Sequence, residues 1–226
     1  MVEGIMKKLI VVFVLVLLCY AFAFAGAKQF VRLVNGGSAG TVYVSDGTIY
    51  TSSNTFSLST GAAVGWIYDS SNFTISISAG TGGYSAGASY FKKFDNALFV
   101  SLAIGTTTFN GYGFSFGASM GASLIGQNNT TMNLGLTAEF GYKSSSDYST
   151  FVGVLGFVID ESFPINDSLS FGLGLSVGGI PLFNRYYDKD SRKAYSLSSK
   201  LFTVGITTAI TYQYEADGSS PKLNTK

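Results

Sequence analysis

The chain has no histidine among its 226 residues, one cysteine (Cys19), three prolines and a charged fraction of only 12%. Without histidine, histidine-dependent hydrolase and acyltransferase machinery has no base, and metal sites built on His or Cys have no ligands. The lone cysteine sits in the first 25 residues, so the chain beyond them supports neither a disulfide nor thiol chemistry. So little charge gives poor cover for a large water-facing surface, and 14 basic against 13 acidic residues show no basic excess for nucleic acid. Beyond the N-terminus there is no apolar run long enough for a spanning helix. What is plentiful is apolar residues at 46%, aromatics at 15% and 28 glycines. That apolar weight must be spread over strands.

The N-terminus has the build of a secretory signal peptide: Lys7 and Lys8, an apolar run over 9–18, then Ala23, Phe24 and Ala25 as a small-x-small cleavage site. Residues 1–25 are read as that signal, with Met6 as the expected start. Loss of Glu3, Lys7 and Lys8 leaves twelve basic and twelve acidic residues, a net charge of zero. Residues 16–19 loosely resemble a lipobox, but the bulky Leu18 stands where a small residue is expected.

From residue 54 onward one pattern recurs. Over 168–179, Leu169, Phe171, Leu173, Leu175 and Val177 alternate with serine and glycine. Over 73–80, Phe73, Ile75 and Ile77 oppose Thr74, Ser76 and Ser78. Over 112–125, Phe114, Phe116 and Met120 oppose Gly113, Ser115, Gly117 and Ser119; over 132–143, Leu134, Leu136 and Phe140 oppose Asn133, Gly135, Thr137 and Glu139. Weaker versions cover 55–68, 84–93, 98–108, 150–159 and 201–214. A period of two is a strand, and a run of 9–11 residues is what a tilted strand needs to cross a bilayer. Polar links at 69–72, 95–96, 127–130, 144–147, 160–167 and 181–199 separate the runs.

One face is strongly apolar and the other small and neutral. A soluble sheet would carry charge on its outer face, whereas a closed tube with the apolar face outward suits lipid and leaves no edge. The reading is therefore all-β: an antiparallel up-and-down transmembrane β-barrel, with eight strands favoured and ten as the alternative. Eight strands treat 73–93 as one long strand. Ten break it at Gly82 and Gly83 and add 41–52. On the eight-strand reading the barrel spans 54–214, residues 26–53 form an N-terminal segment with a short hairpin at Asp46 and Gly47, and 215–226 form a C-terminal tail. Trp66, Tyr68, Tyr112 and Tyr142 are expected at one rim, and Tyr90, Tyr212 and Tyr214 at the other.

Signal peptide, alternating strands, aromatic girdles and size together resemble the small bacterial outer-membrane barrels of the OmpA, OmpX and OmpW kind, over about 54–214. The end of the last strand, 207–214, also resembles their assembly signal in its aromatics Tyr212 and Tyr214. It departs from that signal at Ala209, where glycine is usual, and in the tail that follows. The resemblance implies the outer membrane as location, with membrane lipids and the outer-membrane assembly machinery as partners.

The tempting chemistry is absorbed by this pattern. GxSxG occurs four times, at 83–87, 113–117, 117–121 and 174–178, but inside alternating strands, where no nucleophile elbow forms, and no base is present. Gly113, Gly117 and Gly121 also read as a GxxxG ladder. Five glycines between 111 and 126 would cost a helix about 5 kcal/mol relative to alanine, so that reading is set aside. No catalytic, cofactor or metal site is expected. The candidate lumen residues are Glu139, Lys143 and Asn133, with Glu139 read either as a carboxylate satisfied by Ser, Thr, Lys or water or as a cation-favouring constriction. The mostly small lumen side chains point to a passive channel for small solutes. Arg185, Asp188, Lys189, Asp190, Arg192 and Lys193 crowd the longest link, expected outside the cell. They motivate the alternative, a closed barrel acting as adhesin or anchor through contact with lipopolysaccharide or a host surface.

Overall fold

The computed structural model describes residues 28–45, 50–81, 83–95, 97–107, 112–196 and 198–215. Among the described residues the strands are β1 (Lys28–Ser45), β2 (Tyr50–Tyr68), β3 (Ser71–Gly80), β4 (Gly83–Lys93), β5 (Leu98–Thr107), β6 (Tyr112–Ile125), β7 (Thr131–Ser144), β8 (Tyr148–Pro164), β9 (Leu169–Asp188), β10 (Lys193–Ser196) and β11 (Ser198–Glu215). β1 through β9 pair antiparallel in chain order, β9 also pairs with β11, and β11 pairs with β1. Ten strands thus form a closed antiparallel ring, and β10 rides as a hairpin arm on the end of β9. The signal peptide expected at 1–25, the turn at Asp46 and Gly47, and the tail beyond Glu215 lie outside the described residues.

The ring has ten strands, not the favoured eight. β3 and β4 are separate strands, registered from Ser71 against Lys92 to Gly80 against Gly83. The segment 41–52 is no appendage: its arms are the upper ends of β1 and β2, paired without interruption from Lys28 against Ile67 to Ser45 against Tyr50. The barrel therefore begins at Lys28 rather than at residue 54. Adding β1 reverses the direction of β2, and splitting 73–93 reverses the count again, so directions from β5 onward are unaffected. The aromatic rims shift accordingly. Trp66 and Tyr68 lie beside the β2–β3 turn, at the same end as Tyr90, Tyr212 and Tyr214, while Tyr112 and Tyr142 lie at the opposite end.

The apolar face points outward, as the charge-poor composition requires. Leu33, Ile77, Ile104, Met120, Leu136, Ile206 and Ile210 are all more than half exposed. Cross-strand aromatic pairs stiffen this exterior, with ring centroids 5.2 Å apart for Phe114 and Tyr142 and 6.3 Å for Phe163 and Phe171. Closure satisfies the ladder hydrogen bonds within the sheet, the condition for crossing hydrocarbon with strands. Tight turns with Asp69, Ala97, Asn128 and Asn129 at positive φ join strands at the end that carries both termini.

Two inward aromatics need glycine beneath them. A Cβ on Gly65 would lie 2.3 Å from the Phe30 ring, and one on Gly135 would lie 2.7 Å from the Phe99 ring. Strand length is uneven around the ring. β8, β9, β11, β1 and β2 run for 17 to 20 residues, whereas β3, β4 and β5 run for 10 or 11. The surplus rises at the end opposite the termini, as a wall over part of the circumference.

Leu136, 65% exposed on the outer face, gives a direct test of which face meets lipid. Leu136→Arg is expected to lower the unfolding free energy in phospholipid vesicles by about 2–4 kcal/mol, and Thr137→Lys on the inner face by less than about 1 kcal/mol, both measured by urea titration.

Candidate functional site: the lumen and the outer hairpin

The inward positions enclose a cavity of about 710 Å³, to which every ring strand except β2 contributes. Its character changes along its length. Toward the far end the inner wall is almost bare: Gly87, Ser101, Ala103, Gly117, Ser119, Thr137 and Ser176 all face inward by alternation. Toward the end with the termini lies a floor of larger groups. Phe30, 2% exposed, and Phe99, 3% exposed, are the best-buried aromatics of the described chain. Phe99 stacks on Phe91 at 5.3 Å between ring centroids. The Arg32 guanidinium lies 5.1 Å from the Phe30 ring centroid and donates from Nε to the Thr211 hydroxyl at 3.0 Å.

Beside these aromatics runs a polar row. Ser123 on β6 registers with Asn133 on β7, which registers with Asp160 on β8. The Ser123 Oγ and the Asn133 Oδ1 are buried without a hydrogen-bond partner, and Ser123 is only 1% exposed. Asp160 interacts electrostatically with Arg32 across the floor. Its side chain lies over Gly174, where an added Cβ would come within 2.7 Å of its Oδ1. Below the floor, Ser123 and Lys93 also border a smaller cavity of about 380 Å³ at the rim. Among the described residues no group of three or more His, Cys, Asp or Glu side chains converges.

The three candidate lumen residues all face inward from β7 but at separate heights. Asn133 belongs to the floor. Glu139 lies well above it, exposed, across from Gly117 and Val154. It adds a carboxylate to the inner wall of the cavity. Lys143 registers with Gly113 and Thr150 near the far rim. The serines of the four GxSxG matches lie in β4, β6 and β9, within ladders and before no helix.

Arg32, Phe99 and Asp160 are floor residues that the sequence reading did not single out. Arg32 fell in the segment set aside as N-terminal, and Asp160 in a link, because β8 continues to Pro164 through a polar stretch. Their signal was alternation in phase with Val34 and Val158, overwritten by charge.

The candidate outer residues occupy a hairpin rather than a loop. β9 runs through Arg185 to Asp188 before β10 returns from Lys193. The Asp188 carboxylate accepts the backbone N–H groups of Asp190 at 2.9 Å and Ser191 at 3.2 Å. The Ser191 hydroxyl and these N–H groups hold its carboxyl below the usual carboxylate range. Lys189 ties the tip to the β7–β8 turn, donating from Nζ to Ser144 Oγ at 2.9 Å and to the Ser145 carbonyl. Arg185, Asp190, Arg192 and Lys193 remain exposed.

Glu139→Gln is expected to reduce the preference for cations over anions, read as a smaller reversal potential in a salt gradient. Phe99→Ala should raise single-channel conductance while lowering stability by about 3–5 kcal/mol.

No family model matches this chain, and no curated protein matches it. Solved structures that it resembles include an outer-membrane channel from Pseudomonas putida F1, at 9% identity and TM-score 0.43, covering 84% of this chain and 96% of that one. They also include Neisserial surface protein A, at 12% identity and TM-score 0.32 with coverages of 80% and 97%. A third is the outer-membrane protease OmpT from Escherichia coli, at 7% identity and TM-score 0.39 with coverages of 84% and 97%. The chain is a closed antiparallel β-barrel with a lipid-suited exterior, the fold class of the outer-membrane barrels.

Proposed function

We propose that the protein is an outer-membrane channel through which small solutes pass passively along the barrel lumen. The observation that carries this reading is the cavity of about 710 Å³, walled mostly by serine, threonine, alanine and glycine. Small hydroxyl side chains leave room for water and offer hydrogen bonds in place of a solute's hydration shell. The aromatic and polar floor narrows the path at one end, where Ser123 and Lys93 also border the second, smaller cavity. Glu139 gives the vestibule one negative charge. The surroundings are those of any outer-membrane barrel: lipids around the apolar belt, and the assembly machinery during insertion.

A second reading rests on the hairpin of β9 and β10. A tip pinned to its neighbour while four charged side chains stay exposed is suited to contact lipopolysaccharide or a host surface. The two readings separate experimentally. Reconstituted in a planar bilayer, the exported protein is expected to give discrete, reproducible conductance steps that survive deletion of 185–193. Insertion without conductance, with surface binding lost on the same deletion, would transfer the function to the hairpin.

A further inference from the structure

Resting on the channel reading, we propose that the lumen floor is a binding subsite for a small zwitterion, a solute carrying one carboxylate and one ammonium group. At the floor Arg32 and Asp160 line the cavity and interact electrostatically, while a second cation, Lys93, lines it from β4, in register with Phe99. Arg32 projects from β1, steadied by Thr211, with the rest of its guanidinium left to face the cavity that it lines. Asp160 projects from β8. Between them on the wall come only β9 and β11, which present Gly172, Gly174 and Ala209 at this level, all lining the cavity.

This trough has to stay shallow. At Gly174 a Cβ would lie 2.7 Å from Asp160 Oδ1 and closer still to the Thr207 hydroxyl. The acceptor side is richer than one carboxylate. Asn133 Oδ1 and Ser123 Oγ continue the row from Asp160, buried and without partners. Buried polar atoms left unpaired cost free energy, and an ammonium group supplies three donors to a cluster of acceptors. A guanidinium takes a carboxylate in a two-pronged geometry. The solute's carboxylate therefore turns to Arg32 and its ammonium to Asp160 and Asn133, with a small apolar substituent against the stacked Phe91 and Phe99 rings.

Such a solute exchanges its water shell for matched charges of both signs. At the Arg32–Asp160 pair, an anion or a cation of the same size meets one matching and one opposing charge. Binding of this kind gives saturable flux, because passage needs a site that is favourable to enter and weak enough to leave.

The test uses proteoliposomes of the intact protein with alanine as the zwitterion, propionate and isopropylamine as its singly charged halves, and lactamide as an uncharged solute of similar size. Alanine uptake is expected to saturate and to exceed that of propionate and isopropylamine. Arg32→Gln and Asp160→Asn should each lower alanine uptake by about tenfold relative to lactamide uptake in the same variant, the loss of one charge-assisted contact. The exchange R32D with D160R keeps one charge of each sign at the pair and should recover part of the alanine preference, which separates recognition from misfolding. Alanine uptake that never saturates and falls in step with lactamide in every variant would overturn the subsite while leaving the channel reading intact. If no solute crosses at all, the channel reading fails and the subsite with it.

Discussion

The structure depends on one constraint: backbone hydrogen bonds that would be left open in hydrocarbon must be closed within the sheet. A strand ladder satisfies one side of each strand, and only the pairing of the last strand with the first removes the remaining edge. Here that seam is long, registered from Lys28 against Glu215 to Ser45 against Ser198. The inner wall follows from it too, because a closed ring of ten strands encloses an interior that small inward side chains leave open as a cavity of about 710 Å³. So do the large outward ones, which hydrocarbon accepts at no cost in solvation.

Alternation was the legible part of this fold, since each outward leucine or phenylalanine repeats the same physical choice. β6 and β7 could be read almost residue by residue, and β9 as far as Gly179, beyond which its polar end reads as a link. β1 could not. Its sequence around Phe30, Arg32 and Val34 puts large groups on both faces, because its inner side builds the floor instead of lining open space. For the same reason the favoured eight-strand reading omits β1, and the ring follows the ten-strand alternative, which reverses β2. The site was legible only where it obeyed the pattern. Glu139 and Lys143 stood out as charges on an otherwise neutral face, whereas Asp160, in a run of polar residues, looked like a turn. Closure determines who meets across a lumen, and one strand read alone carries little of that information.

The floor also shows how the barrel reconciles openness with stability. Phe30 and Phe99 fill space that glycines leave on neighbouring strands, Gly65 on β2 and Gly135 on β7, so a few residues provide the interior packing that the upper lumen lacks. Packing is thus concentrated at one end of the tube, and the wall above it carries mostly small side chains.

The uneven strand lengths have a consequence for how anything arrives. A tube cut square opens along its own axis; one whose wall stands tall from β8 round to β2 and drops at β3 to β5 is cut obliquely, like a quill. The opening of an oblique cut is an ellipse larger than the bore, and the diffusive capture rate of an aperture grows with its linear size. Its normal also leans toward the low side, so particles skimming along the membrane surface from that direction meet the bore before those descending from above.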